Sequence, residues 1–198
     1  MKRNDRTISL LTIICYVLYM MIGKFLPGSA CRLVGKACCK FRYILCRNIF
    51  ESCGRNVTIE RGVNFGYGYR IRIGDNSGLG TNAVIPDGTH IGSNVMMGPN
   101  CYILVRNHKF DRVDIPIINQ GYQDYKYPII KDDVWIGRNV TILPGRIIEK
   151  GTVVAANTVL TKDFPEYSIV GGNPSRLIRS RLDTTLVNSI DEKISNNN

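Results

Sequence analysis

The chain has 198 residues, 44% hydrophobic and 21% charged, which excludes global disorder and suits one core-bearing domain with an appendage. Its formal charge of +10 is uneven, with nine Lys/Arg against two Asp/Glu in residues 1–52 and seventeen against fourteen in the rest. That distribution favours an anionic membrane surface over a nucleic-acid groove, and no nucleic-acid-binding motif is present.

At the N-terminus, Lys2, Arg3 and Arg6 precede the uncharged run "TISLLTIICYVLYMMI" at 7–22. As a helix, sixteen residues cover about 24 Å, short of a ~30 Å hydrocarbon core. Basic residues before an apolar run also resemble a secretory leader, with "SAC" at 29–31 as a faint lipid-attachment site. After "LPGSA", residues 31–50 place Leu33, Val34, Ala37, Cys38, Phe41, Leu45 and Ile49 at three-to-four-residue spacing. Arg32, Lys36, Lys40 and Arg47 fill much of the remainder, predicting a basic amphipathic helix. Two readings stay open for residues 1–50: peripheral contact with a membrane, or packing of both helices against the main domain. Five of the seven cysteines fall in this stretch, none in a C-x-x-C pair. They read as reduced, small buried hydrophobes, not as a disulfide framework or a zinc site.

From Cys53 the text changes to a period of six. Ile73, Leu79, Ile85, Ile91, Met97 and Ile103 share one phase, and Ile130, Ile136, Ile142, Ile148, Val154 and Leu160 resume it. Glycine often follows (Gly74, Gly80, Gly92, Gly98), and the fifth position is small or β-branched (Ser77, Ala83, Thr89, Val95, Cys101). An upstream run, Cys53, Ile59 and Phe65, joins with two extra residues. A helix would show 3.6 and a plain strand 2. A sustained six predicts an all-β parallel β-helix in which three hexapeptides make one triangular coil and the aliphatic residue points inward. Glycine and asparagine suit the corners. Arg146 breaks the rule at a fifth position, which requires either a bulge or a partner for its guanidinium.

The period also breaks once. Ile103 and Ile130 are 27 residues apart, so a long loop, 104–129, leaves the prism. It carries Phe110, Tyr122, Tyr125 and Tyr127 and one of the two histidines, His108. Long loops on rigid scaffolds carry function. The other histidine, His90, reads as structural. Two histidines are too few for the three-histidine zinc site that a similar prism uses elsewhere, so no metal is expected. Residues 182–198 read as a polar tail.

Residues 53–181 resemble the left-handed β-helix O-acetyltransferases that act on galactosides, maltose, colanic acid and bacterial surface polysaccharides. The matching stretches are "NH" at 107–108, "DDVWIGRNVTILPG" at 132–145, "VVAANTVLTKDFP" at 153–165 and "YSIVGGNPSRLIRSR" at 167–181. The resemblance implies left-handed coils, a homotrimer, and acetyl-CoA bound between neighbouring prisms. It implies His108 as the general base that takes a hydroxyl proton during attack on a thioester. It matches Arg138, Ala156, Thr161, Lys162, Arg176 and Arg179 to cofactor-binding positions, with guanidinium groups suited to phosphates. Serine stands at the Arg138 position in some relatives. Trp135 is placed either beside the cofactor arm or at a subunit interface. Asp87, stacked below Val105, is placed to orient the imidazole or hold a sugar hydroxyl, or is a solvated corner residue.

The expected activity is therefore acetyl transfer to a saccharide hydroxyl in surface polysaccharide synthesis. The basic extension favours a lipid-linked acceptor at the cytosolic face of the membrane. The need for a cytosolic cofactor ranks the secretory reading lower. The alternatives are acetylation of a small acceptor (an amino-sugar nucleotide, serine or a xenobiotic) and a non-enzymatic β-solenoid.

Overall fold

The computed structural model describes residues 8–183. The basic residues Lys2, Arg3 and Arg6 and nearly all of the polar tail lie outside them. Two helices, α1 (Leu10–Met21) and α2 (Gly35–Ile49), precede a left-handed parallel β-helix of about six turns.

Each coil contributes two-residue strands to three faces. The first face stacks Ser52–Cys53, Arg72–Ile73, His90–Ile91, Ile129–Ile130 and Ile147–Ile148. The second begins with Thr58–Ile59 on Gly78–Leu79 and continues through Met96–Met97, Trp135–Ile136, Val153–Val154 and Ser168–Gly171. The third stacks Tyr102–Ile103, Thr141–Ile142 and Val159–Leu160. All of this pairing is parallel. Only the closing strand, Arg176–Ser180, runs antiparallel, against Ser168–Gly171.

The hexapeptide phase explains the core. Partners such as Arg72 and His90 stand eighteen residues apart, so every aliphatic side chain of the phase lies over its counterpart three hexapeptides away. Ile73, Leu79, Ile85, Ile91, Ile103, Ile130, Ile136, Ile142, Ile148, Val154 and Leu160 are all buried. Each contributes roughly 1.5–3 kcal/mol of transfer free energy. The corners are held by left-handed residues in vertical rows. In one row Asn82, Asn100, Asn139 and Asn157 have φ of +56 to +60°, and each side-chain amide donates to the oxygen of the next, at 3.4, 3.1 and 3.0 Å. Asparagine tolerates this region of φ and adds a stacked hydrogen-bond column.

Arg146 has partners and the coil does not bulge. Ile147–Ile148 keeps its register on Ile129–Ile130, while the guanidinium reaches Asp163 at 3.4 Å and the carbonyls of Pro144 and Thr161.

The helices pack on the first coil. Ser9 caps α1 by accepting from Thr12 N–H, and the Thr12 hydroxyl donates to Asn48 O on α2. The Tyr19 hydroxyl donates to Val63 O at 2.8 Å, and its ring lies 4.5 Å from that of Phe65. The two extra residues of the first coil, where Ser52 and Arg72 are paired twenty apart, fall in this contact. There Tyr67 and Tyr69 stack at 5.9 Å beside Tyr16 of α1.

The buried face of α2 differs from the predicted one. It consists of Gly35, Cys38, Arg42, Leu45, Cys46 and Ile49, whereas Leu33, Val34 and Ala37 are exposed. Gly35 must be small because a Cβ there would lie 2.5 Å from Gly28 O. Arg42 is fully buried yet satisfied. Its Nε donates to Ile59 O at 2.6 Å, Nη1 to Leu26 O and Gly23 O, and Nη2 to Pro27 O. One guanidinium thus ties α2, the inter-helix connection and the first coil together.

All seven cysteines are free thiols. Burial pushes the Cys53 and Cys101 thiols up to about 11.

Replacing Arg42 by Met leaves those carbonyls without a donor, and the expected loss is about 2–4 kcal/mol in urea unfolding. The folded state holds the Cys53 and Cys101 protons where the unfolded chain releases them near 9. Stability therefore falls as pH rises from about 9 to about 11. Urea midpoints measured across that window test this, and a flat profile rejects the assignment.

Candidate active site

The prism sets out chemistry along its edges. On the edge between the second and third faces, the corners Gly80-Thr81-Asn82, Gly98-Pro99-Asn100, Gly137-Arg138-Asn139 and Ala155-Ala156-Asn157 stack in order. Their first positions must be small, since a Cβ on Gly80 would lie 2.0 Å from Gly98 O and one on Gly137 2.5 Å from Ala156 N. The result is a smooth edge bearing the exposed Arg138 with Ala156 directly beyond it.

The next edge carries Thr161 and Lys162. Thr161 is tied to the closing turn because its N–H donates to the Ser175 hydroxyl at 3.0 Å and the two hydroxyls are 3.1 Å apart. The turn feeds the strand that bears Arg176 and Arg179, in which Arg176 pairs with Gly171 and Arg179 with Ile169. Arg146, through Asp163 and Thr161 O, braces the same corner.

Among the described residues, Arg138, Lys162 and Arg176 are exposed and pair with no carboxylate. Lys162 Nζ lies 5.5 Å from the Phe164 ring centroid, and Arg179 donates to Ser180 O. Unpaired cations beside a flat edge of small residues fit a ligand that has phosphates and an extended arm.

The long loop is an ordered arm. Leu104 N–H donates to Ile142 O at its exit, and the two strands of the arm are joined by Lys126 N to Val105 O (2.7 Å), Gln123 N to Asn107 O (2.9 Å) and Lys109 N to Gly121 O (3.0 Å). His108 thereby faces Tyr122 in an antiparallel bridge. The imidazole is exposed and its ring centroid lies 4.2 Å from that of Tyr122. Among the described residues neither ring nitrogen has a hydrogen-bond partner. The Arg106 guanidinium sits over both Tyr122 (4.0 Å) and Tyr125 (4.6 Å). Sequence reading missed Arg106, although "RNH" places it two residues before His108 and so on the same side of an extended segment.

Asp87 is at the arm's root. It accepts from Arg70 N and Arg70 Nε, both at 2.7 Å, while Arg70 Nη2 donates to the Tyr127 hydroxyl at 3.1 Å. Tyr127 stacks on Tyr125 at 5.8 Å and lies against Gly88, where a Cβ would meet its ring at 2.8 Å. Asp87 thus acts on the arm through Arg70 and makes no bond to His108. Arg70 itself is held more firmly protonated by its bonds to Asp87 and Tyr127.

Within one chain, no hydrogen bond or ring contact joins His108 to any of the six predicted cofactor residues. Trp135 and Met96 are exposed on the second face. His90 projects from the first face beside Arg72, and burial, then the Arg72 charge, holds its imidazole below the usual range. Among the described residues no cluster of three metal-ligating side chains occurs.

The bacterial transferase hexapeptide model (six repeats) matches residues 70–104 and 127–162. Galactoside O-acetyltransferase of Escherichia coli is 35% identical over 141 residues, 70% of this chain and 68% of its own length. A hexapeptide-repeat acetyltransferase of Vibrio cholerae, solved with acetyl-CoA, superimposes with a TM-score of 0.70 at 31% identity, covering 92% of this chain and 93% of that one. A maltose O-acetyltransferase of Clostridium difficile gives 0.68 at 29% identity, covering 89% of each.

Substituting Asp87 by Ala removes the acceptor that holds Arg70 against Tyr127. Faster tryptic cleavage after Lys109 and Arg112 is expected, with the prism intact by circular dichroism. Unchanged cleavage would remove Asp87 from the arm's support.

Proposed function

This chain belongs to the hexapeptide-repeat acetyltransferases, and we propose that it moves an acetyl group from acetyl-CoA to a saccharide hydroxyl with His108 as general base. One observation carries the reading: an ordered arm holds an exposed imidazole with both nitrogens open, braced on one side by Tyr122. A hydroxyl is a weak nucleophile at neutral pH, and a positioned base contributes roughly 10²–10⁴-fold.

Acetyl-CoA supplies the acetyl group as a reactive thioester. His108 takes the hydroxyl proton at a ring nitrogen as the oxygen attacks, and returns it to the departing sulfur. Tyr122 limits the ring's rotation, and Arg106, spread over Tyr122 and Tyr125, stiffens that support. Arg138, Lys162 and Arg176 hold the cofactor's phosphates, while Ala156 and Thr161 line the course of its arm. Arg179 reinforces the positive end of this row.

The lack of any hydrogen bond or ring contact between His108 and that row within one chain supports a site completed by a second copy, as in the homotrimer the family resemblance implies. Apolar side chains exposed on the arm, Phe110 (60%), Val113 (100%) and Ile118 (82%), support the same assembly. The saccharide acceptor is supported by the galactoside and maltose enzymes among the relatives. A polysaccharide precursor or repeat unit is the member of that class that best fits a chain with a basic apolar extension.

With purified protein, acetyl-CoA and a panel of sugars and glycans, His108→Ala is expected to lose roughly 10²–10⁴ in kcat. Lys162→Ala is expected to raise KM for acetyl-CoA with kcat little changed. Retention of wild-type turnover by His108→Ala ends the proposal for His108. Surface polysaccharide with equal acetyl content in cells with and without the protein would reject the polysaccharide acceptor.

A further inference from the structure

Among the described residues, nothing covers the outer face of α1. Helical geometry places Leu10, Leu11, Ile14, Val17, Leu18 and Met21 on one arc, all between 36% and 73% exposed. The polar residues of the helix point the other way: Thr12 and Tyr19 are buried and hydrogen-bonded to Asn48 O and Val63 O. Phe25 (64%) and Leu33 (95%) extend the apolar surface into the connection to α2. A contiguous patch of this kind marks an interaction surface, not a scatter of exposed side chains.

The helices and their connection carry positive charge only, and the acid beside them is Glu60 of the first coil, whose Oε2 accepts from Ser29 N–H at 3.0 Å. No Asp or Glu occurs from residue 6 to residue 50. The side of α2 opposite its buried face exposes Lys36, Lys40 and Arg47, with Arg32 just before it, and Lys2, Arg3 and Arg6 precede α1 in the chain. A second copy docked symmetrically on this face would bring two such cationic borders together, and the neighbouring Glu60 is already engaged by Ser29 N–H. α1 has twelve residues, about 18 Å, and no described helix is long and apolar enough to cross a membrane.

The helix pair is also firmly mounted, because Arg42 and Tyr19 bond it to the first coil. We propose that this face docks the protein on an anionic lipid surface, with α1 lying along the headgroup boundary and its apolar arc in the bilayer. Apolar burial and basic flanks together supply the two signals that stable interfacial binding needs. The surface is separate from the arm and the cation row, so this inference does not depend on the catalytic assignment.

The test is co-sedimentation of the full-length protein, without acetyl-CoA, with vesicles of phosphatidylcholine alone and of phosphatidylcholine plus phosphatidylglycerol. Binding is expected only with the anionic lipid, and it weakens as salt is raised. The double variant Ile14→Asp/Met21→Asp changes exposed positions and is expected to lose affinity about tenfold or more while melting as wild type does. Lys36→Glu/Lys40→Glu is expected to lower both affinity and its salt dependence. Equal binding to uncharged vesicles, or no binding to either, overturns the proposal. So does a soluble oligomer that Ile14→Asp disperses in sedimentation velocity, since that would assign the face to a second copy.

Discussion

Everything in this molecule depends on one repeated alignment: a coil of eighteen residues set down on the coil below it without slip. Because strands of only two residues offer few hydrogen bonds each, no coil is stable by itself. Stability comes from repetition, through the aliphatic column inside, the parallel backbone bonds on three faces and the asparagine columns at the corners. The same alignment dictates where chemistry can be put. Whatever occupies a corner is carried in a vertical row, which is how Arg138 comes to stand over the glycine-packed edge with Ala156 beyond it. An insertion at a corner leaves the stack intact, which is how the arm bearing His108 departs after Ile103 and returns at Ile129 with pairing unchanged on either side.

The arm is organised differently from its base. Its pairing is antiparallel, its surface is aromatic and cationic, and its attachment adds side chains to backbone bonds such as Leu104 N to Ile142 O and Gly145 N to Lys126 O. Arg70 is shared between Asp87 and Tyr127, and Tyr127 lies on Gly88. The His108 imidazole is thus linked to the prism through the ring and cation contacts of Tyr122, Arg106, Tyr125 and Tyr127 and the bond from Arg70 to Tyr127. The row of cations begins at Arg138, on the coil next to the one the arm leaves, and runs to the closing turn, where Ser175 ties the Thr161 corner.

The period of six made the prism legible residue by residue, because one inward position per hexapeptide is a rule that composition obeys strictly. The family could be recognised from ordered stretches such as "VVAANTVLTKDFP". Other features left no such trace. Arg42 falls in the buried stripe of α2, but a pattern of apolar spacing counts arginine as solvent-facing, so its bonds to four carbonyls were invisible. For the same reason Leu33, Val34 and Ala37 looked like core and are not. The docking of Tyr16 on Tyr67 and Tyr69 appeared only as an unexplained stutter of two residues before Ile73. The arm has no period at all, and its internal pairing became apparent only from backbone bonds such as Lys109 N to Gly121 O and Lys126 N to Val105 O.

The closing strand has a consequence for the molecule as a material. An open solenoid ends in bare parallel strands, ready to accept the next molecule's first coil and grow into a fibre. Here Arg176–Ser180 reverses direction over the last turn, and the two helices sit across the first. Both growing ends are thereby blunted, and a fold that is repetitive enough to polymerise is held to a fixed length.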